Sequence, residues 1–118
     1  MKTSSCKAKG RRCAQELKDV ILSVFQSLES DDIVITSSGD TGEDIKLSPK
    51  ARKLFPFSTE CKNVEKINIW AAIEQSESHN PEHVPLLVFK RNRTGLYACL
   101  RLENLLKLLP KQWITLEP

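Results

Sequence analysis

The sequence has 118 residues, 40% hydrophobic and 28% charged, with a formal net charge of +3. That is enough chain for one compact domain with a modest core, and the composition excludes a disordered polymer. No apolar run is long enough to span a bilayer and the polar N-terminus carries no signal-peptide pattern; a single domain over 1–118 is expected, reduced and intracellular, with no membrane partner.

The charge is unevenly spread. Residues 1–20 hold six Lys or Arg against Glu16 and Asp19, residues 29–44 hold six acids and no Lys or Arg, and the chain turns basic again over 46–66. An acidic locus between basic flanks fits a metal site within a phosphate-binding surface, and equally a solvated surface with chance clustering. Cys6, Cys13, Cys61 and Cys99 form no Cys-x-x-Cys pair, and His79 and His83 fall in an expected loop, which argues against zinc.

In chain order, residues 1–9 are polar and basic and are expected to form a mobile arm. A helix follows from near Gly10 to about Leu28, with a stripe of Cys13, Leu17, Val20, Ile21, Val24 and Leu28 and with Glu16 on its edge. Residues 30–32 break it. Residues 33–36 read as a strand, and 37–42, with two glycines among small polar residues, as a loop. A second strand is expected over 43–48. Ser48 and Pro49 can then cap a short helical turn through Leu54, as N-cap and first helical residue. Pro56 ends that turn and a strand carrying Glu60 and Lys62 follows. A helix from Asn68 to about Ser78 turns Ile69, Ala72 and Ile73 inward. After a loop holding Pro81, residues 86–89 suit a buried strand. A basic turn over 90–95 leads to a strand over 96–100. Leu102, Leu105, Leu106 and Leu109 make a helix stripe that Pro110 stops. Residues 113–116 add an edge strand or pack loosely. The order αβββαββα predicts an α/β domain: one mixed sheet flanked by helices.

Alternation along strands concentrates the chemistry. Glu60 and Lys62 project to one side, with Phe57, Thr59 and Cys61 on the other. In the strand before, Ile45 and Leu47 form the apolar side and Asp44, Lys46 and Ser48 the polar one. Pairing these strands brings Asp44, Glu60 and Lys62 into one polar patch, and two carboxylates beside a lysine suit a divalent metal and a polarised water. Glu60 and Lys62 by themselves also fit an ordinary ion pair on an exposed face.

These motifs, in this order, resemble the PD-(D/E)XK nuclease superfamily, and within it the archaeal-type and phage Holliday-junction resolvases. The matching residues are Lys9-Gly10 with Glu16 on the first helix, Ser37-Ser38-Gly39 after the first strand, Asp44, Glu60-Cys61-Lys62, and Pro85-Leu86-Leu87-Val88-Phe89-Lys90. The resemblance covers residues 7–109 and implies a restriction-endonuclease-like αβββαβ core. It implies that Asp44 and Glu60, with the backbone carbonyl of Cys61, hold Mg²⁺ or its substitute Mn²⁺. It also implies that Lys62 orients the attacking water or stabilises developing charge, that Glu16 completes the metal site, and that Gln75 donates a hydrogen bond near the nucleophile or the scissile phosphate. Ser37, Ser38 and Gly39 become a loop that approaches a phosphate closely. Lys7, Lys9, Arg11 and Arg12, otherwise a soluble tail, become a phosphate-binding arm.

What the resemblance implies is an endodeoxyribonuclease for branched DNA, in a two-fold homodimer, such as acts in a phage-infected host. Its rivals are a nuclease of the same fold cutting linear duplex DNA and a noncatalytic DNA-binding module. Three departures stand out. Glu43 replaces the family's proline before Asp44 and competes as a ligand, although parity favours Asp44. His79 stands where exonuclease-like relatives often carry tyrosine. The segment 48–56 lengthens the hairpin, and its Lys50, Arg52 and Lys53 either touch DNA or solvate a turn. Trp70 and Trp113 fit core or dimer packing better than base stacking.

Overall fold

The computed structural model describes residues 2–36, 43–78 and 81–110, with side chains from residue 8 onward. Helix α1 spans Lys2–Val24. It begins earlier than the expected start near Gly10, so the segment expected as a mobile arm forms its first turns. Its buried arc runs through Cys13, Ala14, Leu17 and Ile21. Val20 falls at the rim of that arc and Val24 is the helix's last residue, and both are exposed rather than inward. Leu28 reaches the core from the following turn, not from the helix.

A 3₁₀ turn, Ser30–Asp32, leads into β1, Ile33–Ile35. Strand β1 pairs antiparallel with β2, Ile45–Leu47, with Ile33 opposite Leu47. Ile33 and Ile45 are wholly buried. Helix α2, Pro49–Leu54, starts as its sequence dictates: the Ser48 hydroxyl accepts from the Ala51 N–H at 3.1 Å and Pro49 takes the first position. The same hydroxyl donates to Asp32 Oδ1 at 2.7 Å, and the Glu29 N–H donates to Asp32 Oδ2 at 2.8 Å. Asp32 thus ties the 3₁₀ turn to the cap of α2.

Strand β3, Phe57–Asn63, runs parallel to β4, Val84–Lys90, through the crossover helix α3, Ile69–Glu77. Asn68 caps α3, its side chain accepting from the Ala71 N–H at 3.1 Å. Strand β5, Tyr97–Cys99, pairs antiparallel with β4 and, among the described residues, has no partner on its other edge. The tight turn between them places Arg93 at φ 67°, a left-handed conformation uncommon for a residue with a side chain. Helix α4 is Leu102–Leu108.

The molecule is therefore mixed α and β, with a correction to the single expected sheet. Among the described residues there are two sheets, β1–β2 and β3–β4–β5. They meet at Asp44, whose N–H donates to the Thr59 carbonyl of β3 at 2.9 Å. The extra residues of the hairpin form α2 between β2 and β3. On one face of β3–β4, Cys61, Leu86 and Val88 pack with α1 and the β1–β2 pair into the main core. On the other, Leu87 meets α3. Helix α4 departs from expectation: its leucines face solvent and it buries no residue. Residues 113–116, expected as an edge strand or loose packing, lie outside the described residues.

Candidate functional site

Asp44 is fixed more tightly than its place beside a loop suggests. Its N–H is bound to Thr59, and its carbonyl accepts from the Thr36 N–H at 3.0 Å and the Thr36 hydroxyl at 3.1 Å. Its Oδ2 accepts from the Cys61 N–H at 2.6 Å. The carboxylate is thus held on the main chain of the residue that separates Glu60 from Lys62. Because Thr59 and Cys61 are two apart on one strand, their backbone groups point to the same edge, and the Cys61 carbonyl shares that edge with Asp44.

Glu60 is 5% exposed. Its Oε2 accepts from Gln75 Nε2 at 3.2 Å and lies 3.5 Å from Lys62 Nζ. The register places Glu60 beside Leu87 and Lys62 beside Phe89, so both are on the α3 face, where Gln75 is supplied. Asp44, Glu60, Lys62 and Gln75 are accordingly grouped around three residues of β3. Gln75 touches Glu60 itself, which is more specific than a contact near a nucleophile.

Glu43, the competing acid, is turned away. Arg52 of α2 binds it at 2.9 Å and also donates to the Phe57 carbonyl at 2.6 Å. Arg52 therefore closes the lengthened hairpin, neither solvating a turn nor presenting itself to a ligand. Lys50 likewise donates to the Ser27 carbonyl at 2.6 Å.

Glu16 is not brought to this group. It pairs with Lys90 Nζ at 2.8 Å. Lys90 shares the parity of Leu86 and Val88, so the pair lies on the α1 face, with the β-sheet between Glu16 and Glu60. Among the described residues, no set of three or more His, Cys, Asp or Glu side chains could hold a metal ion together. Lys90, given no role from sequence, is thus the partner of Glu16. The signal was present: period-two alternation in β4 turns Val88 and Lys90 together toward the helix that carries Glu16.

Beneath the same strand, Cys13 and Cys61 are free thiols, and the Cys13 thiol points at the Lys62 carbonyl at 3.9 Å. A hydrogen bond with Cys13, then burial, then the charges of Cys13, Asp44 and Glu60 push the Cys61 thiol above its ordinary value. It stays protonated, a core side chain whose contribution to the site is its backbone.

Arg11 and Arg12 are exposed and border a cleft of about 550 Å³ with Ala8, Gln15, Ile35 and Thr36. The cleft adjoins the end of β1, the residue before Ser37. Ser37, Ser38 and Gly39 lie outside the described residues, as does the side chain of Lys7. Lys9 is half-buried, and its carbonyl accepts from Asn63 Nδ2 at 3.3 Å.

No helix among the described residues is long and apolar enough to cross a membrane. Compared with known proteins, the chain matches no family model, no curated protein and no solved structure.

Proposed function

We propose that this chain is a Mg²⁺-dependent endodeoxyribonuclease of the PD-(D/E)XK type, with a restriction-endonuclease-like core. Its proposed substrate is branched DNA, four-way junctions above all, and it works inside the cell as a two-fold homodimer. One observation carries the reading: the Asp44 carboxylate is bonded at 2.6 Å to the backbone of the residue between Glu60 and Lys62, so the two acids and the lysine are gathered around Cys61.

The donor set fits a hard divalent cation. Asp44, Glu60 and the Cys61 carbonyl offer oxygen only, and Mg²⁺ is commonly held by one or two carboxylates with water and substrate phosphate completing its shell. A three-acid cage is therefore not required. When bound, the metal supplies an acidified water and neutralises phosphate charge. The chain's own residues do the rest. Gln75 holds the Glu60 carboxylate in place. Lys62, beside Glu60 and partly open to solvent, is positioned to orient the attacking water or to meet negative charge as it develops. Arg11 and Arg12, with Lys7, Lys9, Ser37, Ser38 and Gly39, make the phosphate contacts that place a strand near the carboxylates.

The test is cleavage of a four-way junction, a linear duplex and single-stranded DNA in Mg²⁺, with Mn²⁺ as a substitute. Junction cutting is expected. Asp44→Asn, Glu60→Gln and Lys62→Ala should each lower it by at least about 100-fold, the scale of removing one transition-state contact, with the circular-dichroism spectrum unchanged. Glu16→Gln, which breaks only the Lys90 pair on the far face of the sheet, should cost cutting no more than Asp19→Asn on the same helix. Near wild-type cutting by any two of the three main variants would refute the site. Binding without cutting any of the three DNAs would leave a noncatalytic module.

A further inference from the structure

The turn between β4 and β5 is tied down on both sides. Thr94 Oγ1 accepts from the Arg91 N–H at 3.1 Å, the Thr94 N–H donates to the Arg91 carbonyl at 3.2 Å, and the Asn92 N–H donates to Glu65 Oε2 at 2.6 Å. Arg93 sits there at φ 67°, a conformation that glycine or asparagine takes at less cost. Arg91, Asn92 and Arg93 are all exposed. Lys62, Lys90 and Arg101 each have a carboxylate partner, whereas neither Arg91 nor Arg93 is ion-paired to another described residue. A strained backbone thus holds two guanidiniums outward.

The turn stands at the end of the sheet that carries Lys62. In the register Lys62 is beside Phe89 and Asn63 beside Lys90, so Arg91 follows two residues after the partner of Lys62. Phe89 is opposite Tyr97 of β5 in turn. Lys62, Phe89 and Tyr97 therefore form one row across the sheet, on the face that carries Glu60. The Tyr97 ring stacks on Phe89 with centroids 6.1 Å apart and is 62% exposed. One side of the ring is held by the sheet and much of the rest is open. An aromatic platform beside basic side chains is how proteins take a nucleotide whose base has left its stack.

We propose that the β4–β5 hairpin is a subsite for an unpaired DNA nucleotide, its base stacked on Tyr97 and the flanking phosphates held by Arg91 and Arg93. The chemistry selects that occupant. Two outward guanidiniums suit a polyanion. A base inside a duplex has both faces stacked, so a single protein ring takes a base only where stacking is broken, as in a single strand or an opened branch point. The subsite deepens the nuclease reading and rests on it for the cut: Lys62, in the same row, sets the unpaired nucleotide next to the phosphodiester under attack. It is read out as binding in EDTA, so it stands or falls apart from cleavage.

The test is a set of anisotropy titrations in EDTA at several salt concentrations, with a labelled oligothymidylate and with its duplex with oligoadenylate of equal length. The single strand is expected to bind with a Kd of about 1–100 µM, the range of sequence-independent contacts. Tyr97→Ala should weaken single-strand binding by about 10-fold, the scale of one lost base stack, and leave duplex binding unchanged; Tyr97→Phe should keep the wild-type affinity. Arg91→Ala and Arg93→Gly should each weaken single-strand binding and lower its log–log salt slope by about 0.7. Arg93→Gly should do so while raising the melting temperature, because glycine relieves the left-handed backbone, an opposition that a merely structural arginine would not give. Lys107→Ala, the same loss of charge on α4, should change neither. Failure of the single strand to bind below about 100 µM overturns the proposal. So does equal loss of single-strand and duplex binding in Tyr97→Ala, or an unchanged salt slope in both arginine variants. Single-strand binding that needs Tyr97 and both arginines, in a chain that cuts no DNA in Mg²⁺, upholds the subsite and refutes the nuclease reading.

Discussion

At the scale of single residues, the site depends on which of two adjacent acids the backbone presents. Glu43 and Asp44, adjacent just before β2, take different partners: Arg52 takes Glu43 and the Cys61 N–H takes Asp44. Parity made that choice legible before any coordinates. The location of Glu16 was not legible in the same way, because helix periodicity fixes a face and not the strand residue that meets it. Lys90 decides it. Asp32 offers a separate test of local electrostatics. The Glu29 N–H, then the Ser48 hydroxyl, hold its carboxyl below the ordinary aspartate value. A depressed folded pKa stabilises above the unfolded value and is lost as pH falls through the folded one. Asp32→Asn should therefore lower the melting temperature at pH 7. The gap from wild type should close as pH falls below about 4, the ordinary range of an aspartate. A gap independent of pH would remove charge from the account.

At the scale of elements, caps and punctuation were read well. Ser48 caps a helix that Pro49 begins, as the sequence required, and Asn68, read only as a helix start, caps α3 with its side-chain oxygen. Two elements went otherwise for tertiary reasons. Helix α1 runs through the basic N-terminal segment, which lacks helix-breaking residues apart from Gly10. Helix α4 has the spacing of a core helix, yet its leucines are exposed, and periodicity cannot tell an inward stripe from an outward one. Gly10 is a direct probe of the longer α1. A Cβ there would meet nothing within 4 Å, and glycine within a helix is weaker than alanine by about 0.5–1 kcal/mol. Gly10→Ala should raise the unfolding free energy by about that amount in urea titrations. No gain would mean that the helix does not extend through this position in solution.

At the scale of the whole molecule, the acids and the basic segment occupy distinct places. The carboxylates Asp44 and Glu60 sit on β3, while Arg11 and Arg12 flank a cleft at the end of β1. If that cleft grips DNA, replacing both arginines by alanine should weaken junction and duplex alike. It should also reduce the log–log salt slope by about one unit per lost phosphate contact. Binding titrations at several salt concentrations check this, and an unchanged slope would take the cleft out of the interface. On the proposed reading, preference for a junction should survive, because a dimer would read branch geometry through the spacing of its two sites and not through these charges.

The attachment of Asp44 has a further consequence for motion. One backbone bond, Asp44 N–H to the Thr59 carbonyl, and one side-chain bond, Cys61 N–H to Asp44 Oδ2, make this residue the seam between the two sheets. Local opening that detached the β1–β2 hairpin from β3 would release the Asp44 and Cys61 amides in the same event. Their hydrogen-exchange rates should therefore match and rise together in a variant lacking the Asp44 carboxylate. The acids would then be disassembled by the same fluctuation that parts the two sheets, so the lifetime of the closed seam sets the time in which the carboxylates stand ready.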